Sequence, residues 1–433
     1  MKIFSQLLLL LLLASFAFST TLKLLVLGDA HTDPGYYKGA DQDHFCRKGK
    51  GKAGEYGSIK NCDIPYKTFE SALQFGSTLD PDVVLYLGDM MPHQIDWTRD
   101  DFQNWFLNTT KTLKGTFPKV KKIYFTLGNN DFFSDNNAPP VSDFMYTNAA
   151  NFWSPWLSTQ SFQRVQNGGF YSELIPGTNI RVISMNSILW FEENQSVNSD
   201  YVDPWGQLNW IKETLETSYT SNEKVWFMSH LPLGMLSSTG RFWKKRFQTQ
   251  FLQIIRKYMY SQNGEKMLTA MFSGHHHRDQ FEIIYDKDVY PHDGSEKPLL
   301  VDFRISAIES RDSETNPSLR LIKFDTDSGF LLNYEQYFLD IVKANKDLAL
   351  NWNLRYSAGE YGAYGLNGLG PEQFNNFLQS LKSSNDLVQE YWVNMSEGLV
   401  DTNCGSNCRT KLICKMEFIT EDECTKCHTD QSY

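Results

Sequence analysis

Five short blocks of this chain carry side chains able to bind divalent cations. They are Asp29-Ala30-His31, Gly88-Asp89, Gly128-Asn129-Asn130-Asp131, Ser229-His230 and Gly274-His275-His276-His277. Carboxylate, carboxamide and imidazole suit hard and borderline metals. A pair of such cations about 3.5 to 4 Å apart, bridged by a carboxylate, makes a hydrolytic centre for phosphate esters. Asp89 fits the bridge, because it follows a glycine that permits a sharp backbone turn. Asp29, His31 and His277 would complete one ion's shell, and Asn129, His230 and His275 the other's. The spacing of Asp29 with His31, and of His275 with His277, puts each pair on one side of an extended segment and turns His276 away. Alone, an Asp after a strand is usually a cap or turn former. Seven such residues in this order point to a two-metal hydrolase.

Each block closes an apolar, β-branched or aromatic run, at residues 24–27, 83–87, 123–127, 225–228 and 268–272. Buried strands with polar ends deliver their ligands to one edge of a sheet, where open α/β proteins place their sites. Helices are predicted at 66–79, 100–114, 205–217 and 246–260, with further strands at 180–185, 280–285, 298–305 and 319–324. The alternation implies an α/β fold of two packed mixed sheets flanked by helices. Residues 34–65 interrupt it with a Gly- and Lys-rich stretch that Cys46 and Cys62 bracket. After residue 342 the composition changes: 351–371 reads as a long loop and 373–392 as a helix, followed by a cysteine-rich tail. The expected division is 1–20 targeting segment, 21–341 catalytic domain and 342–433 helical C-terminal subdomain.

Lys2, an apolar run from Leu7 to Phe18 and the small residues around Ser19 read as a signal peptide. No later segment is long and apolar enough to span a membrane. A secreted or acidic-organelle destination gives meaning to the glycosylation acceptors at Asn108, Asn194 and Asn394. It also favours disulfides for the seven cysteines, an odd number that leaves one unpaired or shared between chains. A net charge of -10 argues against nucleic acid as a partner. A small-molecule phosphoester substrate and a monomeric protein are expected.

The ordered motifs Asp-x-His, Gly-Asp, Gly-Asn-x-Asp, His and Gly-His-x-His resemble the calcineurin-like metallophosphoesterases, from Thr21 to about Tyr337. Gly88-Asp89-Met90-Met91-Pro92-His93, the Cys46/Cys62 loop and the terminal cysteine pattern are similar to the acid sphingomyelinase group. The first catalytic strand directly follows the signal peptide and leaves no room for a saposin domain, as in the acid sphingomyelinase-like phosphodiesterases. That resemblance implies a four-layer metallophosphoesterase sandwich, two Zn2+ per chain, and phosphodiester hydrolysis by a metal-activated hydroxide on nucleotide-type or phosphocholine-type substrates. It implies the pairings Cys46–Cys62, Cys404–Cys408 and Cys414–Cys427, with Cys424 left over.

The family protonates the leaving group with two histidines. One corresponds to His93; the other position holds Asn130. An amide donates a hydrogen bond but transfers no proton at accessible pH, and losing a general acid costs about 10²- to 10⁴-fold. The expectation is a diesterase acting on good leaving groups, with His93 as the remaining acid and Asp131 supporting the ligands from behind. Two alternatives stand beside it. A catalytically impaired metal-binding protein would follow if Asn130 disables the site. A purple-acid type phosphomonoesterase would need a tyrosine shortly after Gly88-Asp89, where Met90, Met91 and Pro92 stand.

Overall fold

The structure is a computed structural model that describes residues 20–94, 97–237, 240–311, 315–359, 361–400 and 402–430. The expected signal peptide lies almost wholly outside them. The strands are β1 (Thr21–Leu27), β2 (Thr32–Asp33), β3 (Ile64–Pro65), β4 (Val83–Tyr86), β5 (Lys122–Phe125), β6 (Tyr171–Leu174) and β7 (Ile180–Ser184). They continue with β8 (Lys224–Met228), β9 (Leu268–Ser273), β10 (Gln280–Tyr285), β11 (Pro298–Arg304), β12 (Ser318–Asp325), β13 (Leu331–Leu339) and β14 (Trp352–Ser357). One sheet has the order β14-β13-β12-β1-β4-β5, the other β10-β11-β9-β8-β7-β6. β1, β4 and β5 are parallel, as are β7, β8, β9 and β11. These strands are mostly apolar because both of their faces are covered, and Leu24 to Leu27 are fully buried.

The sheets share one core. Trp226 of β8 meets Phe324 of β12 edge-on at 4.8 Å between ring centroids, and its indole N–H donates to Gly329 O at 2.9 Å. Ser184 Oγ donates to the β5 carbonyl of Phe125 at 2.6 Å. Helix Tyr66–Thr78 packs on β12 of the first sheet and on helix Arg99–Thr116. The latter helix starts in a reciprocal capping box of Thr98 and Asp101, which satisfies two otherwise orphaned helix donors.

The C-terminal part differs from expectation in two places. The span 351–371 contains β14, which pairs with β13 and extends the first sheet. The span 373–392 is two helices, Pro371–Ser383 and Asn385–Met395. Ser384 breaks them: it is extended, at φ −131° and ψ 115°, and its hydroxyl caps Leu387 N–H. The helices pack on the second sheet through Phe374, which lies 4.8 Å from Phe281 and 5.3 Å from Phe303 between ring centroids. Cys404–Cys408 and Cys414–Cys427 staple helices Ser406–Glu417 and Glu421–Asp430, and Cys46–Cys62 closes the early loop. Cys424 is free and buried.

Burial separates the three expected glycosylation acceptors. Asn194 is inaccessible, with both amide hydrogens donated to Ala138 O and Ile188 O, and Asn394 is buried beside Arg355. A glycan needs a solvated amide. Asn108 alone of the three is exposed.

Candidate metal centre

The strand ends converge as the spacing predicts, but by tighter turns than an extended chain makes. Past β1, Ala30 and His31 both donate their backbone N–H to Asp89 O at 3.0 Å, and His31 turns to φ 40°. Asp89, His275 and His277 also have positive φ, at 50°, 67° and 57°. Such conformations cost non-glycine residues energy and cluster at functional sites. The two glycines before the loops serve different needs. Gly88 takes φ 90°, and a Cβ on Gly128 would lie 2.0 Å from Asp89 Oδ1.

Two carboxylates form the floor. Asp29 Oδ2 lies 3.2 Å from His277 Nε2, 3.9 Å from His230 Nε2 and 4.0 Å from His31 Nε2. Asp89 Oδ2 lies 3.2 Å from His230 Nε2 and 3.4 Å from His31 Nε2. Asn129 Oδ1 is 2.9 Å from His230 Nε2. Potential ligand atoms of Asp29, His31 and His277 lie within 4.8 Å of one another, as do those of Asp89, His230 and His275. A third such group joins His31 to His93 and Glu309, and Asn129 reaches the second group through His230, so the seven candidate ligands lie together. His276 belongs to none of these groups.

The residues behind them fix which atoms face inward. Nδ1 of His31 meets Met91 O at 2.8 Å and Nδ1 of His230 meets Leu87 O at 2.8 Å. Both rings thus present Nε2 to the carboxylates, the orienting arrangement usual for metal-bound histidine. Asn136 Oδ1 accepts from Asn129 Nδ2 at 2.9 Å, which turns the Asn129 carbonyl inward. Asp131 accepts four backbone N–H bonds, from Gly128, Asp89, Met90 and Met91, at 2.8 to 3.2 Å, and so pins the Asp89 turn. Glu309 Oε1 lies 2.8 Å from His277 Nδ1. Sequence reasoning missed Glu309 and Asn136: neither sits in a motif, and only tertiary packing brings Glu309 to His277.

Charge in the cluster is balanced by histidine. Burial opposes ionisation of Asp29, yet His230, His277 and His275 hold it down at about 2. Burial works against charging His230, but Asp89 and Asp29 push it up to about 9. Burial is likewise outweighed at His277, where Glu309 and Asp29 raise its pKa. Burial and the nearby His230 keep His275 down at about 3, and burial with His93 lowers His31. A donor set of this kind suits divalent cations, which would take the place of the protons on His230 and His277. The buried Nε2 of His31, which has no hydrogen-bond partner, is the atom a cation would satisfy.

At the rim, His93 stacks on His31 with ring centroids 3.9 Å apart. Asp63 Oδ1 lies 2.8 Å from His93 Nδ1, and Asp63 Oδ2 accepts the His93 backbone N–H at 2.7 Å. Burial opposes charge on His93, and Asp63 raises its pKa in spite of it. Asp63 was also missed in the sequence, although its position next to Cys62 marks it. Asn130 does not stand at the rim as a free donor. Its backbone N–H and Nδ2 are both committed to Asp89, at 2.8 and 2.9 Å.

Residues 22–279 match the calcineurin-like phosphoesterase family model, and 301–433 match the acid sphingomyelin phosphodiesterase C-terminal region. Sphingomyelin phosphodiesterase A of Dictyostelium discoideum is 29% identical, over 94% of this chain and 68% of its own. The cyclic GMP-AMP phosphodiesterase of Bos taurus is 28% identical, over 92% of this chain and 89% of its own. The solved structure of PhoD covers 78% of this chain and 69% of its own at 9% identity, with a TM-score of 0.49. The chain belongs to the calcineurin-like phosphoesterases, and its C-terminal part is similar to that of the acid sphingomyelin phosphodiesterases.

Proposed function

We propose that this protein is a zinc-dependent phosphodiesterase of an oxidising compartment, hydrolysing phosphodiesters whose leaving groups need little protonation. The observation that carries the reading is the convergence of Asp29, His31, Asp89, Asn129, His230, His275 and His277 about two buried carboxylates, with the Nε2 of His31, which makes no hydrogen bond, facing both. Asp29, His31, Asp89 and His277 would hold one cation, and Asp89, Asn129, His230 and His275 the other. When bound, two such cations acidify water and neutralise charge developing on the phosphate. The chain's own residues do the rest. Asp131 holds the Asp89 turn, Asn130 fixes the Asp89 carboxylate, and His93 delivers a proton to the departing oxygen. Three disulfides support an extracellular or luminal setting, since they persist where thiols are oxidised.

Nucleotide-type and phosphocholine-type esters both stand as substrates, on the named activities of the relatives. Asn130 favours nucleoside polyphosphates, because a phosphate leaving group is a weaker base than the sugar alkoxide of a cyclic dinucleotide or the alkoxide of ceramide. A panel of nucleoside polyphosphates, cyclic dinucleotides and sphingomyelin, turned over by zinc-loaded protein, tests this ranking. Sphingomyelin as the best substrate would overturn it. The catalytically impaired alternative is supported by Asn130 alone. It would hold if metal-loaded protein, with both cations bound, turned over no member of the panel.

A further inference from the structure

His93 is held by two residues, and each is the neighbour of one sulfur of the same disulfide. Asp63 follows Cys62 and gives one oxygen to the His93 ring at 2.8 Å and the other to its backbone N–H at 2.7 Å. Arg47 follows Cys46. Its Nη2 donates to His93 O at 2.7 Å, its Nη1 to Gln94 O at 2.8 Å and its Nε to Asp33 Oδ2 at 2.7 Å. The same Nη2 lies 3.3 Å from Asp63 Oδ2. Both cysteines are fully buried, with Cα atoms 5.6 Å apart. β2, which contains Asp33, pairs with β3 directly after Asp63, so the loop returns to the segment that carries His31. Phe45 and Cys46 both sit at positive φ, 56° and 57°, a conformation that needs surrounding structure to hold it. A loop serving only as surface cover has no reason to spend a guanidinium and a carboxylate on the backbone of one histidine.

We propose that the Cys46–Cys62 bridge belongs to the proton-delivery apparatus, with Arg47 and Asp63 as positioning residues that fix His93 for protonation of the leaving group. This rests on the reading of His93 as the acid. In the step concerned, the P–O bond to the leaving group breaks and its electron pair stays on that oxygen. The oxygen takes the Nε2 proton of the His93 imidazolium, leaving a neutral ring whose Nδ1–H still donates to Asp63. Asp63 thereby selects the tautomer, and Arg47 holds the backbone from which the ring reaches. With position 130 an amide, no second histidine shares this load, so the placement of His93 limits the chemistry on poor leaving groups.

The test compares kcat/KM for an aryl and an alkyl phosphodiester in zinc-loaded wild type, His93→Gln, Asp63→Asn, Arg47→Met and the bridge-free double variant Cys46→Ala with Cys62→Ala. Metal content is measured for each. A positioning role predicts that Asp63→Asn, Arg47→Met and the bridge-free protein follow His93→Gln. Each lowers the alkyl rate at least about 30-fold more than the aryl rate, with two cations retained. If His93→Gln discriminates between the esters and Asp63→Asn and Arg47→Met lower both rates equally, the proposal fails and His93 remains the acid. If His93→Gln itself lowers both equally, the donor assignment fails and takes the proposal with it. Should the bridge-free protein not fold, the two point variants decide the matter.

Discussion

Asn130 Nδ2 donates to Asp89 Oδ2 at 2.9 Å, so this amide is spent on the central carboxylate. It stabilises the ionised form of Asp89 and offers the substrate no proton.

Restoring the histidine should act where protonation limits the rate. Asn130→His is expected to raise turnover of an alkyl phosphodiester by about 10²-fold or more, the low end of the range assigned to a general acid. Turnover of a nitrophenyl diester should hardly change. Steady-state rates on the two esters check this, and an equal change on both would show that position 130 acts through Asp89 instead.

Glu309 should matter to one cation more than to the other. Its carboxylate sits 2.8 Å from His277 Nδ1, and losing such a partner typically weakens metal binding about 10- to 100-fold. Glu309→Gln is expected to lose one of two zinc ions at chelator concentrations that leave wild type fully loaded. Loss of both together would mean that Glu309 supports the floor as a whole.

Asp131 should be principally structural. Removing its side chain strands four buried backbone donors around Gly128 and Asp89, at a cost of roughly 3 kcal/mol or more. Asp131→Ala should lower the denaturation midpoint clearly, and Asp131→Asn, which keeps one accepting oxygen, less so. Unfolding curves at fixed metal loading decide this.

The metal-free protein should lose stability as pH rises from neutral. His230 is pushed from the ordinary 6.5 up to about 9, with Asp89 and Asp29 overcoming burial. Its contribution is therefore fully present below about pH 6.5 and is lost as pH rises through about 9, at up to about 1.4 kcal/mol per pH unit. In chelator, Tm should fall between pH 6.5 and 9. Zinc-loaded protein should not show this fall, because the cation replaces the proton. A chelated protein whose Tm holds or climbs across that window would contradict the assignment.

Much of the site was legible because each ligand sits in a short motif at the end of an apolar run, and strand ends are where such folds gather side chains. The left-handed turns at His31, Asp89, His275 and His277 were not: an i,i+2 spacing suggests an extended segment, whereas the structure aims these side chains by tight turns. Asp63 and Glu309 were missed for a different reason. Each reaches its histidine across a long stretch of chain, and a lone carboxylate has no periodicity to betray it. The break at Ser384 had a local sign in Ser383-Ser384-Asn385, a run of residues that favour caps, but it was masked by continuous helical spacing. β14, at Trp352–Ser357, was hidden because it is short and runs straight into a glycine-rich stretch.

The most direct test of the account is turnover of bis(p-nitrophenyl) phosphate by zinc-loaded protein at pH 5, with Asp89→Asn as its control. The account predicts measurable hydrolysis that falls at least about 10³-fold in the variant, since the bridging carboxylate serves both cations. Equal rates in the two proteins, or none in a wild type shown to hold two zinc ions, would contradict it.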